Sequence, residues 1–318
     1  MRKRSSDART PVVHLVRRGT SPLRADGGGR RRCARTRDVS PRWCSRAVRH
    51  ATPRGPAPLR TRGPETMEII AHRGACFDAP ENSLEAFDLS IAQGAVRIEL
   101  DVHVTSDHVP LVCHDSTTGR VADRDLEVEF HTLDELRGLR LANDEPIPTL
   151  EEACRFISAR ATLDVELKAT TREAASAVIE VLHGTGAIEN VLITSFDPSV
   201  LRLLRVLGFR GRTGLLVGSG SLHVRQRAYE TWPMRTLREC EATDLVIHHL
   251  LLHRVLRRAL RRSGHGCVLW TTIEDERREP ARRAAIYRRA AGLEPDGLIV
   301  ARVAEAIAVL DELPPPAP

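Results

Sequence analysis

Short apolar or β-branched runs alternate with longer segments of helical periodicity from residue 67 onward. The runs are EIIAH (68–72), VRIELDV (96–102), PLVCH (110–114), TLDVELK (162–168), VLITSF (191–196), TGLLVG (213–218), DLVIHH (244–249), CVLWTT (267–272) and DGLIVA (296–301). Between them, segments such as SLEAFDLSIAQG and DPSVLRLLRVLG have the apolar spacing of amphipathic helices. Strands separated by such helices predict parallel βαβ units.

The alternation over residues 67–313 predicts an α/β fold, a (β/α)8 TIM barrel, because such a barrel typically takes about 250 residues. The nine runs exceed the eight strands of a barrel by one. Only HVTSDHV separates the runs at 96–102 and 110–114, which is too short for a parallel crossover helix. One of these two runs is therefore expected to pair as a hairpin. A flavodoxin-like open sheet also fits the alternation, but no Gly-x-Gly-x-x-Gly fingerprint follows a first strand.

The first predicted helix has recognisable start and stop signals. Asn82 is predicted as its N-cap, with Glu85 three residues later. Gly94 lies where a C-terminal capping glycine is expected.

Residues 1–66 differ in composition from the rest of the chain. They contain 17 arginines and one lysine against four acidic residues, so the net charge of +6 divides into +14 for this leader and −8 for residues 67–318. The leader is rich in Pro, Gly and Ser and has no apolar run longer than PVVHLV, so we expect it to be disordered. Residues 314–318 form a short Pro-rich tail.

A basic, disordered leader is typical of a tether to nucleic acid or to an anionic membrane. Met67 lies directly before the first predicted strand, which favours another interpretation, that residues 1–66 are an over-extended start. The leader lacks the apolar stretch of a secretory signal, and no uninterrupted apolar run has membrane-spanning length. We therefore expect a soluble, cytoplasmic protein.

The seven cysteines, at 33, 44, 76, 113, 154, 240 and 267, show no Cys-x-x-Cys spacing, and their number is odd. The sequence therefore predicts neither a zinc site nor a disulfide framework.

Glu99 and Asp101 lie two residues apart on a predicted strand, so their side chains share one face. Two like charges side by side are costly unless a cation lies between them. Other polar or aromatic side chains stand at the carboxyl ends of predicted strands: His72, Arg73, His114, Glu166, Lys168, Ser195 and Trp270. Because the active face of a TIM barrel lies at that end, we expect these residues to converge on one rim.

The residue types on this rim indicate phosphate chemistry. Carboxylate oxygens suit Mg²⁺ or Ca²⁺ rather than zinc. Arg73 and Lys168 suit a phosphate anion, and two histidines near neutral pKa suit general acid-base catalysis. A lysine at position 168 is also unusual for this chain, which has 46 arginines and only two lysines.

The segments AHRG, PENS, ELDVHVTSD, PLVCHD, PTLEEA and LDVELK resemble, in the same order, motifs of the glycerophosphodiester phosphodiesterases, which have a TIM-barrel fold. The resemblance runs from about residue 69 to WTT at 270–272, with a weaker match in DGLIVA. It implies a phosphoric diester hydrolase of lipid and glycerol metabolism. The implied reaction is metal-dependent hydrolysis of a small glycerophosphodiester to glycerol 3-phosphate and an alcohol.

The resemblance also implies roles for individual residues. It makes Glu99, Asp101 and Glu166 the ligands of Mg²⁺ or Ca²⁺. His72 and His114 would be the acid-base pair, and Arg73 and Lys168 would contact the phosphate. Glu81 and Asn82 would support the site. Trp270 is a candidate substrate contact by its position at a strand end, with a core role as the alternative. His103 is expected to be an exposed or hydrogen-bonded rim residue, and His248 and His249 strand-end residues without a catalytic role.

Two alternatives stand beside this interpretation. A phosphodiesterase of the same fold could act on lysophospholipid or sphingolipid head groups, although the sequence shows no apolar surface helix that would lie on a membrane. The second alternative, a nucleic-acid-binding protein without catalysis, is supported only by the basic leader. The chain departs from the family pattern at His108, Ile273, Ala301 and Arg302. These departures lie outside the predicted site and concern substrate preference.

Overall fold

The computed structural model of the chain describes residues 67–218 and 232–313. The predictions for the leader, residues 1–66, and for the tail, residues 314–318, lie outside the described residues.

One sheet contains nine strands in the described residues. They are β1 (Glu68–His72), β2 (Arg97–Val104), β3 (Pro110–Val112), β4 (Thr162–Leu167), β5 (Val191–Ser195), β6 (Arg212–Val217), β7 (Asp244–His248), β8 (Gly266–Trp270) and β9 (Gly297–Val300). All except β3 pair in parallel in the order β1-β2-β4-β5-β6-β7-β8-β9, and β9 pairs with β1. The sheet is therefore closed, which confirms the predicted (β/α)8 TIM barrel.

β3 is the additional strand. It pairs with β2 in the antiparallel sense, with Val112 opposite Val102 and Pro110 opposite Val104. The short HVTSDHV connection permits only this geometry, so the predicted hairpin is confirmed. Because β3 lies beside the carboxyl end of β2, it carries His114 to the mouth of the barrel, where the Cys113 N–H donates to the Asp101 carbonyl at 3.0 Å.

Helices cover the outside of the barrel in the described ranges. They are α1 (Leu84–Ala92), α2 (Leu133–Leu136), α3 (Leu150–Ile157), α4 (Arg172–Gly184), α5 (Pro198–Val206), α6 (Met234–Glu239), α7 (Arg254–Arg262), α8 (Ile273–Glu276), α9 (Pro280–Ala291) and α10 (Val303–Asp311), with 3₁₀ turns at Val128–Phe130 and Ala187–Asn190. Their buried faces pack with outward-facing strand residues in one large apolar cluster. None of these helices has both the length and the apolar character needed to cross a membrane.

The start of α1 differs from the prediction by one residue. Ser83 is the N-cap, since its hydroxyl accepts the Ala86 N–H at 3.0 Å. Asn82 instead has a left-handed φ of 59° and donates its side-chain amide to Asp101 at 3.0 Å. The predicted Asn82 cap is wrong because an N-cap residue has an extended backbone, whereas Asn82 is left-handed and turns its side chain to Asp101; the Ser83 hydroxyl caps equally well. Gly94 follows the helix with a φ of 104°, as expected for a terminating glycine.

Replacing Ser83 by Ala is expected to lower the free energy of unfolding by about 0.5–2 kcal/mol, because the first turn of α1 loses its side-chain acceptor. Urea denaturation measures this difference. Ser158→Ala, at the exposed C-terminal end of α3, is the matched control and should be neutral. An unchanged midpoint for Ser83→Ala would show that the cap does not stabilise the helix.

The barrel interior is layered along its axis. Its middle is apolar and consists of Ile70, Leu192, Leu216, Val246, Val268 and Ile299. At the amino ends of the strands lie two ion pairs, Arg97 with Glu68 and Arg212 with Asp244, each at 2.5 Å and each with one buried and one exposed partner. Asp164, on β4, accepts a hydrogen bond from Thr194 at 3.1 Å, and burial raises its pKa to about 7. No pattern in the sequence predicts these charged residues at the amino ends of the strands.

The connection between β3 and α3, residues 113–149, has an apolar cluster of its own. This cluster packs Val128, Leu136, Leu139, Leu141 and Ile147 of the connection on Leu111 of β3. A turn over residues 118–126 is fixed by buried Thr118, whose N–H donates to the Leu126 carbonyl at 3.0 Å and whose hydroxyl donates to the Arg124 carbonyl at 2.7 Å. The connection is therefore a small ordered layer and not an extended loop.

Candidate active site

Three buried carboxylates meet on the neighbouring strands β2 and β4, level with the carboxyl end of β1. Glu99 and Asp101 lie on β2 and Glu166 on β4, with Asp101 directly opposite Glu166. These residues are 5%, 0% and 8% exposed, and one oxygen from each lies within 4.8 Å of the others. The structure thus brings together the three side chains predicted as metal ligands.

Two cations contact this cluster, and both bind Asp101. The Lys168 Nζ lies 2.9 Å from Asp101 Oδ1 and 2.6 Å from Glu166 Oε1. The Arg73 Nε lies 3.1 Å from Asp101 Oδ2. Glu99 has no such ion pair among the described residues and instead accepts the Arg73 backbone N–H at 3.0 Å.

The unequal distribution of cations separates the pKa values of the three acids. Burial alone would raise the pKa of Asp101, but Lys168 and Arg73 outweigh it and hold this pKa far below its ordinary value. Burial raises the pKa of Glu99 well above its ordinary value, and the charges of Asp101 and Glu166 add to this effect. Burial also raises the pKa of Glu166 to about 7 despite Lys168. In the metal-free protein the protonated form of Glu99 is therefore favoured relative to an ordinary glutamate.

These features fit a divalent cation. Three ionised carboxylates against Arg73 and Lys168 leave one negative charge uncompensated, in agreement with the raised pKa of Glu99. A bound cation would supply the missing positive charge and allow Glu99 to ionise. The donors are all carboxylate oxygens, the ligands preferred by Mg²⁺ and Ca²⁺.

His72 ends β1 and lies opposite Glu99 in the strand register. Burial and the nearby Arg73 lower its pKa to about 3, so its imidazole is neutral. In the described part of the chain, its Nδ1 has no hydrogen-bond partner. His72 thus carries a free nitrogen close to the carboxylates.

His114 lies two residues beyond β3 and pairs with its neighbour in sequence. Its Nδ1 is 2.6 Å from Asp115 Oδ1, which places the proton on Nδ1 and leaves Nε2 unprotonated in the neutral ring. Burial lowers the pKa of His114, although Asp101 and Asp115 oppose this effect. The His103 Nε2 lies 3.2 Å from the His114 carbonyl, so His103 is a hydrogen-bonded residue of the rim.

The PENS motif contacts the site through both predicted supporting residues. The Arg73 Nη1 donates to Glu81 Oε1 at 2.9 Å, and the Asn82 amide binds Asp101. The Asn82 N–H also donates to the Arg73 carbonyl at 3.0 Å. Arg73 has a left-handed φ of 57°, which is uncommon for a residue other than glycine and places its side chain toward both carboxylates.

Arg120 is a charged neighbour of the site that the sequence analysis missed. Its guanidinium contacts Glu81 and Asp115. Nothing in the sequence marks it, since it is one of 46 arginines and lies in a stretch without helical or strand periodicity.

Trp270 lies across the barrel from β4, at the carboxyl end of β8. Its indole N–H donates to the Val217 carbonyl at 3.1 Å. Its ring makes edge contacts with Phe196 and His248, with centroid distances of 6.1 and 4.8 Å. Trp270 is half-buried, so it contributes to the interior core and also faces the mouth. Ser195, also predicted on the rim, is buried and donates its hydroxyl to the Leu167 carbonyl at 3.0 Å.

A second group with potential metal ligands contains His248, His249 and Asp275. The Asp275 Oδ2 already accepts from His249 Nε2 at 3.1 Å and from the Thr272 hydroxyl at 3.0 Å, while Oδ1 accepts from Arg278 at 3.0 Å. This carboxylate therefore caps α8 and orients an imidazole, and we assign no metal to it. The five cysteines in the described residues are all free.

Comparison with known proteins agrees with these observations. Residues 72–305 match the protein-family model of the glycerophosphoryl diester phosphodiesterase family. Glycerophosphodiester phosphodiesterase 1 of Bos taurus is 34% identical over 152 residues, which are 44% of this chain and 46% of that protein. The glycerophosphodiester phosphodiesterase of Caldanaerobacter subterraneus is 30% identical over 181 residues, 52% of this chain and 74% of that protein. The match thus spans about half the length of the mammalian relative.

A solved structure shows the same architecture. An Oleispira antarctica phosphodiesterase in complex with the product sn-glycerol-3-phosphate superposes with a TM-score of 0.62 and 24% sequence identity. The superposition covers 77% of this chain and 97% of that protein. At this level of identity, the similarity supports the fold.

Proposed function

This chain belongs to the glycerophosphoryl diester phosphodiesterase family, and on that premise we propose that it hydrolyses glycerophosphodiesters to glycerol 3-phosphate and an alcohol. The observation that carries the proposal is the carboxylate cluster of Glu99, Asp101 and Glu166 with its two adjoining cations. Relatives named for this activity, and a structural neighbour that holds sn-glycerol-3-phosphate as its product, support the same chemistry.

In the proposed site, Glu99, Asp101 and Glu166 hold a divalent metal ion, as is general in this family. We expect Mg²⁺ or Ca²⁺, because all three donors are hard oxygens. When bound, the metal supplies positive charge at the phosphate oxygens as they gain charge in the transition state.

Arg73 and Lys168 would bind the non-bridging phosphate oxygens. Both are already anchored on Asp101, so their charges are fixed at the site before the substrate arrives. The Arg73 guanidinium is held on its other side by Glu81, which limits its rotation.

His72 and His114 would transfer the protons. Both rings are neutral, so the first transfer removes a proton from the attacking oxygen. His114 is the better base for this step, because Asp115 on its Nδ1 stabilises the imidazolium that forms. The proton taken up in this step balances the one that the departing alkoxide must gain to leave as the alcohol. Trp270, on the opposite side of the mouth, would contact the departing alcohol.

The test is a hydrolysis assay of the purified full chain on glycerophosphodiesters that differ in the alcohol, with lysophosphatidylcholine as the lipid substrate. We expect release of glycerol 3-phosphate, loss of that release after treatment with EDTA, and recovery with Mg²⁺ or Ca²⁺. Preferential cleavage of the lysophospholipid would support the alternative substrate class. Hydrolysis that is indifferent to the chelator would contradict the metal assignment, and no hydrolysis of any diester would contradict the function.

A further inference from the structure

We infer that Arg120 is a positioning residue of the active site, which links Glu81 to Asp115 and thereby holds Arg73 and His114 in place together. The inference rests on the proposed function. It concerns a residue outside the motifs that carry the family resemblance.

Arg120 uses three N–H groups for these contacts. Its Nη1 and Nη2 donate to Glu81 Oε2 and Oε1 at 2.6 and 2.8 Å, a bidentate pair. Its Nε donates to Asp115 Oδ2 at 2.5 Å. The bidentate pair fixes the plane of the Glu81 carboxylate, and the third bond fixes the rotation of Asp115.

Each carboxylate passes this constraint to a residue of the site. Glu81 Oε1 also accepts from Arg73, and Asp115 Oδ1 accepts from the Nδ1 of His114. The resulting order of contacts is Arg73–Glu81–Arg120–Asp115–His114. Arg73 follows β1 and His114 lies two residues beyond β3, so Arg120 connects residues carried by two different strands.

The charge state of both carboxylates supports this arrangement. Burial alone would raise the pKa of Glu81, but hydrogen bonds from Arg120 and the charge of Arg73 bring it below its ordinary value. For Asp115, burial is likewise outweighed by the hydrogen bonds of Arg120 and His114, which lower the pKa to about 2. Both carboxylates therefore remain ionised and keep their full strength as acceptors at neutral pH.

The backbone around Arg120 is already ordered without these contacts. The Gly119 N–H donates to Asp125 Oδ1 at 2.9 Å, and Val121 and Ala122 pack against the apolar cluster of residues 113–149. Little chain entropy is lost when the guanidinium binds, and half-exposed ion pairs contribute little to folding. Arg120 should therefore affect catalysis much more than stability.

The experiment compares Arg120→Ala and Arg120→Lys with a matched control. Arg137→Ala removes a similar bidentate pair, with Glu152 at 2.7 and 3.1 Å; the Arg137 side chain is 37% exposed and that of Arg120 is 47% exposed. We expect Arg120→Ala to lower kcat about 10–100-fold, the usual cost of removing a residue that orients an active-site group. Lysine keeps the positive charge but cannot form the bidentate pair, so the kcat of Arg120→Lys should lie between those of Arg120→Ala and wild type. Millimolar guanidinium should partly restore kcat in Arg120→Ala, and Arg137→Ala should keep the wild-type kcat.

A spectroscopic measurement tests the link independently of turnover. In ¹⁵N-histidine-labelled wild type, the His114 Nδ1 proton should be observable at low field because it is held by Asp115. In Arg120→Ala this signal should broaden or disappear, while Arg137→Ala retains it. If Arg120→Ala keeps both the wild-type kcat and the signal, the inference is wrong. A wild type that hydrolyses no diester refutes the proposed function instead, and the signal still decides the role of Arg120.

Discussion

Replacing Glu99 by Gln is expected to reduce turnover by at least about 10³-fold, while the metal-free protein remains as stable as wild type or becomes more stable. The loss is large because stabilisation of transition-state charge by a bound metal is worth several kcal/mol. Stability is preserved because burial and the neighbouring carboxylates disfavour the charged form of Glu99, and Gln is a neutral side chain of the same shape. Its carbonyl can still accept the Arg73 N–H that Glu99 accepts.

Thermal melts with and without Mg²⁺ or Ca²⁺ measure the effect on stability, and kcat measures the effect on turnover. The wild-type Tm should rise with the metal, since the ion binds only the folded state, and the Glu99→Gln Tm should rise much less. Glu151→Gln makes the same chemical change on the exposed face of α3 and should match wild type in both measurements. A Glu99→Gln variant with normal turnover and a normal metal-induced Tm shift would exclude this cluster as the metal site.

Much of the fold was predictable because a barrel repeats one simple pattern. Most barrel strands are short apolar runs followed by an amphipathic helix. The HVTSDHV connection is too short to contain a helix, so the antiparallel pairing of β3 was also predictable. The start of α1 was wrong by one residue, because Asn82 and Ser83 are both good N-caps and only the position of Asp101 decides between them. Local sequence does not contain that information.

The site was predictable as far as strand ends determine it. Glu99, Asp101 and Glu166 meet because they share one face of two neighbouring parallel strands, with Asp101 paired to Glu166. The sequence does not predict which carboxylate each cation contacts, because this depends on the conformations of the side chains. Arg73 and Lys168 both contact Asp101. Arg120 was missed because it approaches the site from the irregular connection after β3, where no periodicity fixes its direction.

Replacing either His72 or His114 by Ala is expected to lower kcat by about 10²–10⁴-fold, the contribution of a positioned general acid or base. Neither imidazole belongs to the carboxylate cluster, so the metal-induced rise in Tm should be retained in both variants. The double variant should lose less than the product of the two single losses, because both groups act in one proton-transfer sequence.

Steady-state kinetics of the two single variants and the double variant test this expectation. His183→Ala, on the exposed face at the end of α4, removes an imidazole far from the barrel mouth and should leave kcat unchanged. Near wild-type turnover in His72→Ala or His114→Ala would remove that residue from the mechanism. Loss of the metal-induced Tm shift would instead show that the residue helps to hold the ion.

Closure of the barrel between β1 and β9 has a consequence for synthesis on the ribosome. Glu68 pairs with Gly297, so one edge of β1 stays uncovered while about 230 further residues are made, on the order of tens of seconds at usual translation rates. During that time the open edge of β1 can pair with strands of other chains. A chain cut before residue 297 leaves β1 and β8 both without their partner. Such a truncation exposes two strand edges at once, so we expect cellular proteases to degrade the truncated chain, which cannot form the closed barrel without β9.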